Sequence, residues 1–297
     1  MSAYVVAQIA NGLILGSMYA LVAIGFSMIY GIIRLINFAH GDIVMIGAFT
    51  TLAAISLFGA SLPVVFVGVI AAGAMAGIVI ERTAFRPMRG APQVTGFIAS
   101  LAVSIFIQNF AILTVTAQPR NFRIPDYMQT MLQIGPVGLR VIDLSIVVIS
   151  VLFTVLLVAF VRFSRAGVAM RATAENLDVA RLMGISINRT IMLAFAIGST
   201  LAALSGMMWG AKYGQIDPLM GFVPGLKAFV AAVIGGVGSI AGAVVGGYVL
   251  GLAEVLFVGL LPPEYSGFRN AFVFGLLILI LLVLPNGLLG RSAEERA

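Results

Sequence analysis

Apolar residues run through this chain in long blocks separated by short polar segments. Blocks of about 17 to 25 residues, each enough to cross a bilayer as a helix, fall at about 5–30, 41–58, 63–80, 94–116, 141–161, 190–211, 240–260 and 268–285. A further stretch at 222–238 contains Pro224, Lys227, Gly235 and Gly236, which predicts a short or re-entrant segment. Irregular backbone of that kind is tolerated at membrane depth only where protein covers it. The pattern therefore predicts an all-α, polytopic membrane protein with eight or nine transmembrane helices. No polar stretch is large enough to fold separately, so residues 1–297 form one transmembrane domain.

Composition strengthens this reading. The hydrophobic fraction is 61% and the mean hydropathy +1.13, against roughly 45–50% apolar residues in soluble domains. The first 30 residues have neither a positive n-region nor a small-residue cleavage site, so they are expected to stay as the first span. With no cysteine, disulfides, thiolate metal sites and thiol chemistry are excluded. The lone His40 cannot build a metal site by itself, and no cofactor is implied.

The net charge of +6 is carried by 15 arginines and two lysines at the ends of apolar blocks, the pattern of membrane orientation signals and not of a nucleic-acid surface. The segments 81–93 and 162–189 together hold eight arginines, which predicts both in the cytoplasm and the N-terminus outside. Segments 117–140 and 212–227 would then face outward although they carry five basic residues. Nine spans would leave the C-terminal RSAEERA inside; eight would leave it outside.

Segment 162–189 is unusually hydrophilic for this chain. Good helix formers run from Val168 to Met183, Arg171 and Glu175 are spaced i,i+4, and Asp178 and Arg181 are spaced i,i+3. Gly184 follows as a helix stop. This predicts one short helix outside the bilayer, serving either as a solvated, orientation-fixing loop or as a surface that a rigid partner grips.

The sequence RATAENLDVARLMGI, with AFAIGSTLAALSGMMWG after it, resembles the cytoplasmic coupling loop of bacterial ABC importer permeases. GSMYALVAIGFSMIYGIIRLINFAHGDIVMIGAF at 16–49, RPMRG at 86–90, IDPLMGFVPGLKAFVAAVIGGVGSIAGAVVGGYVLG at 216–251 and LPNGLLG at 284–290 extend the likeness over nearly the whole chain. In this order they resemble the LivH-type permeases of branched-chain amino-acid uptake, although the coupling segment lacks the later proline of the general motif. The resemblance implies an inner-membrane permease, surrounded by lipid, for branched-chain or other small amino acids, with amides or urea as alternatives. It implies a second related permease, two cytoplasmic ABC ATPases and a periplasmic or lipid-anchored solute-binding protein as partners. Ala174, Glu175 and Gly184 would be the core of the coupling motif, flanked by Arg171, Asp178 and Arg181.

Several polar positions fall inside or beside the blocks. Asn37, His40 and Asp42 surround Gly41 between two spans; Asp42 near a helix N-terminus suits the dipole, and the same turn could line or gate a solute path. Asn11 lies on a partly polar face of the first span, and Ser100, Ser104 and Gln108 form an i,i+4,i+8 stripe. Such stripes serve a path or helix-to-helix hydrogen bonds equally well. Glu254 is an acid deep in an apolar block, functional by default because burying it is costly, with a hydrogen-bonded structural role as the alternative. Gly238, Gly242 and Gly246 are spaced for close helix packing. Neither Lys212 nor Lys227 follows a GxxxxG run, so the chain carries no P-loop of its own. A stand-alone carrier using Glu254 and Asp42 remains an alternative. An intramembrane enzyme finds no nucleophile constellation.

Overall fold

The computed structural model describes residues 2–59, 61–135 and 137–290. Its helices are α1 (Ser2–Ile33), α2 (His40–Phe58), α3 (Leu62–Ile80), α4 (Gln93–Thr114), α5 (Asp126–Gln129), α6 (Val141–Phe163), α7 (Arg165–Glu175), α8 (Leu177–Leu182), α9 (Ile187–Tyr213), α10 (Phe222–Gly235), α11 (Ile240–Leu260) and α12 (Arg269–Val283). A π-helical turn, Glu81–Phe85, continues α3, and a 3-10 turn, Pro263–Phe268, leads into α12. Eight of these helices are long and apolar enough to cross a membrane.

The short segment expected at 222–238 is α10, with 14 residues. At 1.5 Å per residue it reaches about 21 Å, short of a hydrocarbon core of about 30 Å. It runs antiparallel to α11, with Gly235 against Gly242 and Ala231 against Gly246. It is therefore a single short helix that does not turn back on itself, beside the eight helices long enough to cross a membrane. The orphan carbonyls that end a helix need partners; the backbone N–H groups of Leu288 and Leu289 donate to Ile234 and Gly235 at 2.8 and 2.9 Å. The LPNGLLG segment thus caps the short helix from below. The RSAEERA tail lies outside the described residues.

Glycine decides the packing, because helices already in lipid gain little from apolar burial and associate through close contact. α1 is buried along most of its length between α9 and α11. A Cβ on Gly16 would lie 2.9 Å from the Tyr248 Cα, and one on Gly247 would lie 2.6 Å from the Ala20 Cα. α2 crosses α9 in the same way, with Gly47 on the Ala203 backbone and Gly206 on the Val44 carbonyl. The expected Gly238–Gly242–Gly246 face needs correction. Gly238 precedes α11 in a turn with φ +86°, facing Gly31, so only Gly242 and Gly246 lie on the helix. Ser239 caps α11 by accepting from the Gly242 N–H at 3.0 Å, which starts the helix after Gly238.

At the end of the bundle opposite α7 and α8, the segment after α4 contains α5 and the hairpin β2 (Met131–Ile134) and β3 (Val137–Arg140). β1 (Arg120–Asn121) pairs with β4 (Gln215–Ile216), tying this segment to the end of α9. These short antiparallel pairs are the strand content of the described residues.

Candidate functional site

The hydrophilic segment lies beyond the spans as expected, but it is two helices and not one. Asn176 leaves helical conformation (φ −151°), and its Oδ1 accepts from the backbone N–H groups of Asp178 and Val179, both at 3.0 Å. Asparagine competes for backbone donors in this way, ending α7 and starting α8. The anticipated pairs do not form either: Arg171 donates to the Arg162 carbonyl at 3.4 Å. No salt bridge joins Arg171 to Glu175 or Asp178 to Arg181; the ion pairs among the described residues lie elsewhere. Each of these four side chains is exposed, where solvated pairs gain little. Gly184 does stop the segment, with φ +80°. Met170, Thr173 and Ala180 are buried toward the bundle, while Glu175, Asp178, Arg181, Leu182 and Met183 face outward.

A second group surrounds the start of α2. Asp42 occupies its first turn, where the dipole favours a carboxylate. Gln108 on α4 donates to Asp42 Oδ1 at 2.9 Å and to Ser104 Oγ at 3.1 Å. Asp42 Oδ2, both polar atoms of Asn37 and both ring nitrogens of His40 are buried without a hydrogen-bond partner among the described residues. The His40 ring points elsewhere, toward Gly25 on α1, and meets Phe26 edge-on. Gly41 meets Gly221 and Gly225 at the entry to α10, letting the two backbones touch. Unspent hydrogen-bonding capacity in a buried site is costly; a polar solute or water would use it.

Glu254 is wholly buried, and its partners come from three other helices. Lys227 on α10 donates to Oε1 at 2.6 Å, Tyr19 on α1 donates to Oε2 at 2.9 Å, and Arg269 on α12 pairs with Oε1. Tyr19 packs on Trp209, with centroids 5.5 Å apart, and Trp209 on Tyr213 at 5.7 Å. The carboxylate is thus the junction of four helices. Asp143 makes a comparable junction with Lys212 at 2.5 Å and Arg140 at 3.2 Å.

Residues 8–282 match the family described as the permease component of branched-chain amino acid transport systems. The chain belongs to this family. The high-affinity branched-chain amino acid transport system permease protein LivH of Escherichia coli K12 is 41% identical, over 99% of this chain and 98% of that protein. BraD, a permease protein of the same description from Pseudomonas aeruginosa, is 40% identical over 97% of each chain. An autoinducer 2 import system permease protein, LsrC of Enterobacter sp. strain 638, is 35% identical over 54% of this chain and 47% of its own length.

In this branched-chain amino acid permease component, the structure joins Asp42, Ser104 and Gln108. Asn37 and His40 lie near in sequence without bonding to that group. Asn11 is exposed on the surface of the chain, and Glu254 belongs to a separate junction. Sequence reasoning missed Lys227 and Arg269 as partners of Glu254. The available signal was charge balance: an acid inside an apolar block calls for a cation on a neighbouring block. It also missed Glu81 with Arg89, a pair in which Arg89 further reaches Asn188 at the start of α9. Burial pushes the Arg89 guanidinium below its ordinary value, with Glu81 opposing the shift.

Proposed function

We propose that this chain is the permease subunit of an ABC importer for branched-chain amino acids, seated in a bacterial inner membrane. The near full-length identity to LivH and BraD carries the reading. On this reading it works with a second related permease, two cytoplasmic ATPases and a periplasmic or lipid-anchored binding protein. The N-terminus lies outside, and segments 81–93 and 162–189 lie in the cytoplasm.

α7 and α8 are where force from the ATPases enters. α7 packs against α1, α6 and α9, two of which form the buried centre of the bundle, so a pull on this pair acts directly on the core spans. Rigid-body motion there changes which side of the membrane has access to a path between the two permeases. Asp42, with Ser104 and Gln108, and Asn37 with its free amide offer that path polar contacts for a zwitterion. Substrate choice rests largely with the binding protein, in keeping with a family relative that imports autoinducer 2.

Uptake of labelled leucine in cells carrying the whole transporter tests the reading. Glu175→Arg and Gly184→Leu should abolish uptake and weaken ATPase copurification while membrane insertion stays normal. Normal uptake with unchanged ATPase association in both variants would sink the docking claim.

A further inference from the structure

A cleft of about 610 Å³ opens where α1 and α3 end and α9 begins, beside α8. Arg34, Arg86, Arg89 and Arg181 line it, with Asp178 as the acid in the lining. Glu81 adds a second carboxylate behind Arg89, so the cleft keeps a surplus of positive charge. Below the guanidiniums the walls are apolar: Ile33, Leu35, Phe85 and Ile191.

Two further observations fit an anion site. Arg89 Nε is buried without a partner among the described residues, although guanidinium donors are seldom left unused. Arg34 is the one non-glycine residue with positive φ (+54°) among the described residues. Side chains disfavour that conformation, and such strain gathers at binding sites. It is held by the Arg34 N–H donating to the Tyr30 carbonyl at 2.7 Å, as α1 ends.

We infer that this cleft binds the headgroup of an anionic glycerophospholipid. The ligand chemistry is a phosphate carried on an apolar stem. Planar guanidiniums match phosphate oxygens bidentately, and basic pockets between spans at the membrane surface take such headgroups. The apolar lining, with Ile33 and Leu35 on either side of Arg34, selects the lipid over a free anion. The cleft lies at the ends of three spans, so a phosphodiester gripped by Arg34 and Arg86 leads its glycerol and acyl chains past Ile33 and Leu35. Because α8 supplies one wall, the lipid would also brace the helix pair outside the spans.

Lipid retention in native mass spectrometry tests it, using the full chain in its native assembly from nanodiscs of equal phosphatidylglycerol and phosphatidylcholine. The wild type should retain phosphatidylglycerol selectively. R34Q/R86Q/R181Q should lower that retention by about tenfold or more. R162Q/R165Q/R189Q, which removes the same charge outside the cleft lining, should leave it unchanged. R34Q alone provides a milder variant if the triple one unfolds, and should lower retention in the same direction. Equal retention in cleft and control variants would overturn the inference. So would displacement of the lipid by millimolar inorganic phosphate, which marks a free-anion site, or retention only after protein partners are stripped away, which assigns the cleft to a protein segment.

Discussion

Replacing Glu254 by glutamine should destabilise the bundle through the cation it leaves behind. The Lys227 side chain is only 5% exposed and donates to this carboxylate. In E254Q the ammonium keeps its desolvation cost and loses its counter-charge. Breaking a buried pair from one side costs about 3–5 kcal/mol. Arg269 adds little to that figure because its side chain is 39% exposed and can turn to solvent. The same reasoning predicts rescue: K227M/E254Q removes the stranded charge and should lie within about 1–2 kcal/mol of wild type. K227M alone leaves Glu254 paired with Arg269, so it should cost less than E254Q. The coupling between positions 227 and 254 should reach about 2 kcal/mol or more. Reversible unfolding in mixed micelles, run as a double-mutant cycle, measures it. E254Q within about 1 kcal/mol of wild type, or a double variant no more stable than E254Q, would refute the argument.

Gly206→Ala should cost about 1–3 kcal/mol, because its methyl group meets the Val44 carbonyl where α2 crosses α9. Gly275→Ala, in α12 with nothing within 4 Å, should instead gain roughly 0.5–1 kcal/mol; thermal denaturation of the pair decides whether contact or mere glycine loss governs. Asn176→Ala removes the cap between α7 and α8, costing about 1 kcal/mol locally, and should raise hydrogen exchange in α8 while leaving α1 unchanged. Gln108→Leu strips Asp42 of its hydrogen bond and should reduce uptake without altering membrane insertion, as measured by transport and by surface labelling.

The spans were legible because hydropathy is a local property. α11 begins and ends where the apolar block does, and the short segment expected from Pro224, Gly235 and Gly236 is the short helix α10. Asp42 in the first turn of α2 followed from the dipole. What failed depended on neighbours distant in sequence or on competition within a few residues. No periodicity says that Glu254 will meet Lys227 and Arg269, since that depends on which spans pack together. The break at Asn176 turned on one side chain bonding two backbone donors, against helix propensity on both sides. The anticipated ion pairs failed because spacing permits a contact without making it worth more than hydration. Gly238 fitted a helical repeat by position, while the cap at Ser239 began the helix just after it.

The central place of α1 sets the order in which the molecule can be completed. Tyr19 waits for Glu254, 235 residues further along the chain. At about 5–20 residues per second, the first span spends on the order of ten to fifty seconds in the membrane before α11 exists. During that interval its glycine-lined surface faces lipid or the insertion machinery, open to pairing with whatever else passes. A ribosome that stalls after α10 leaves a product whose central helix is missing its broadest partner, which makes the last fifth of the message decisive for the fate of the first thirty residues.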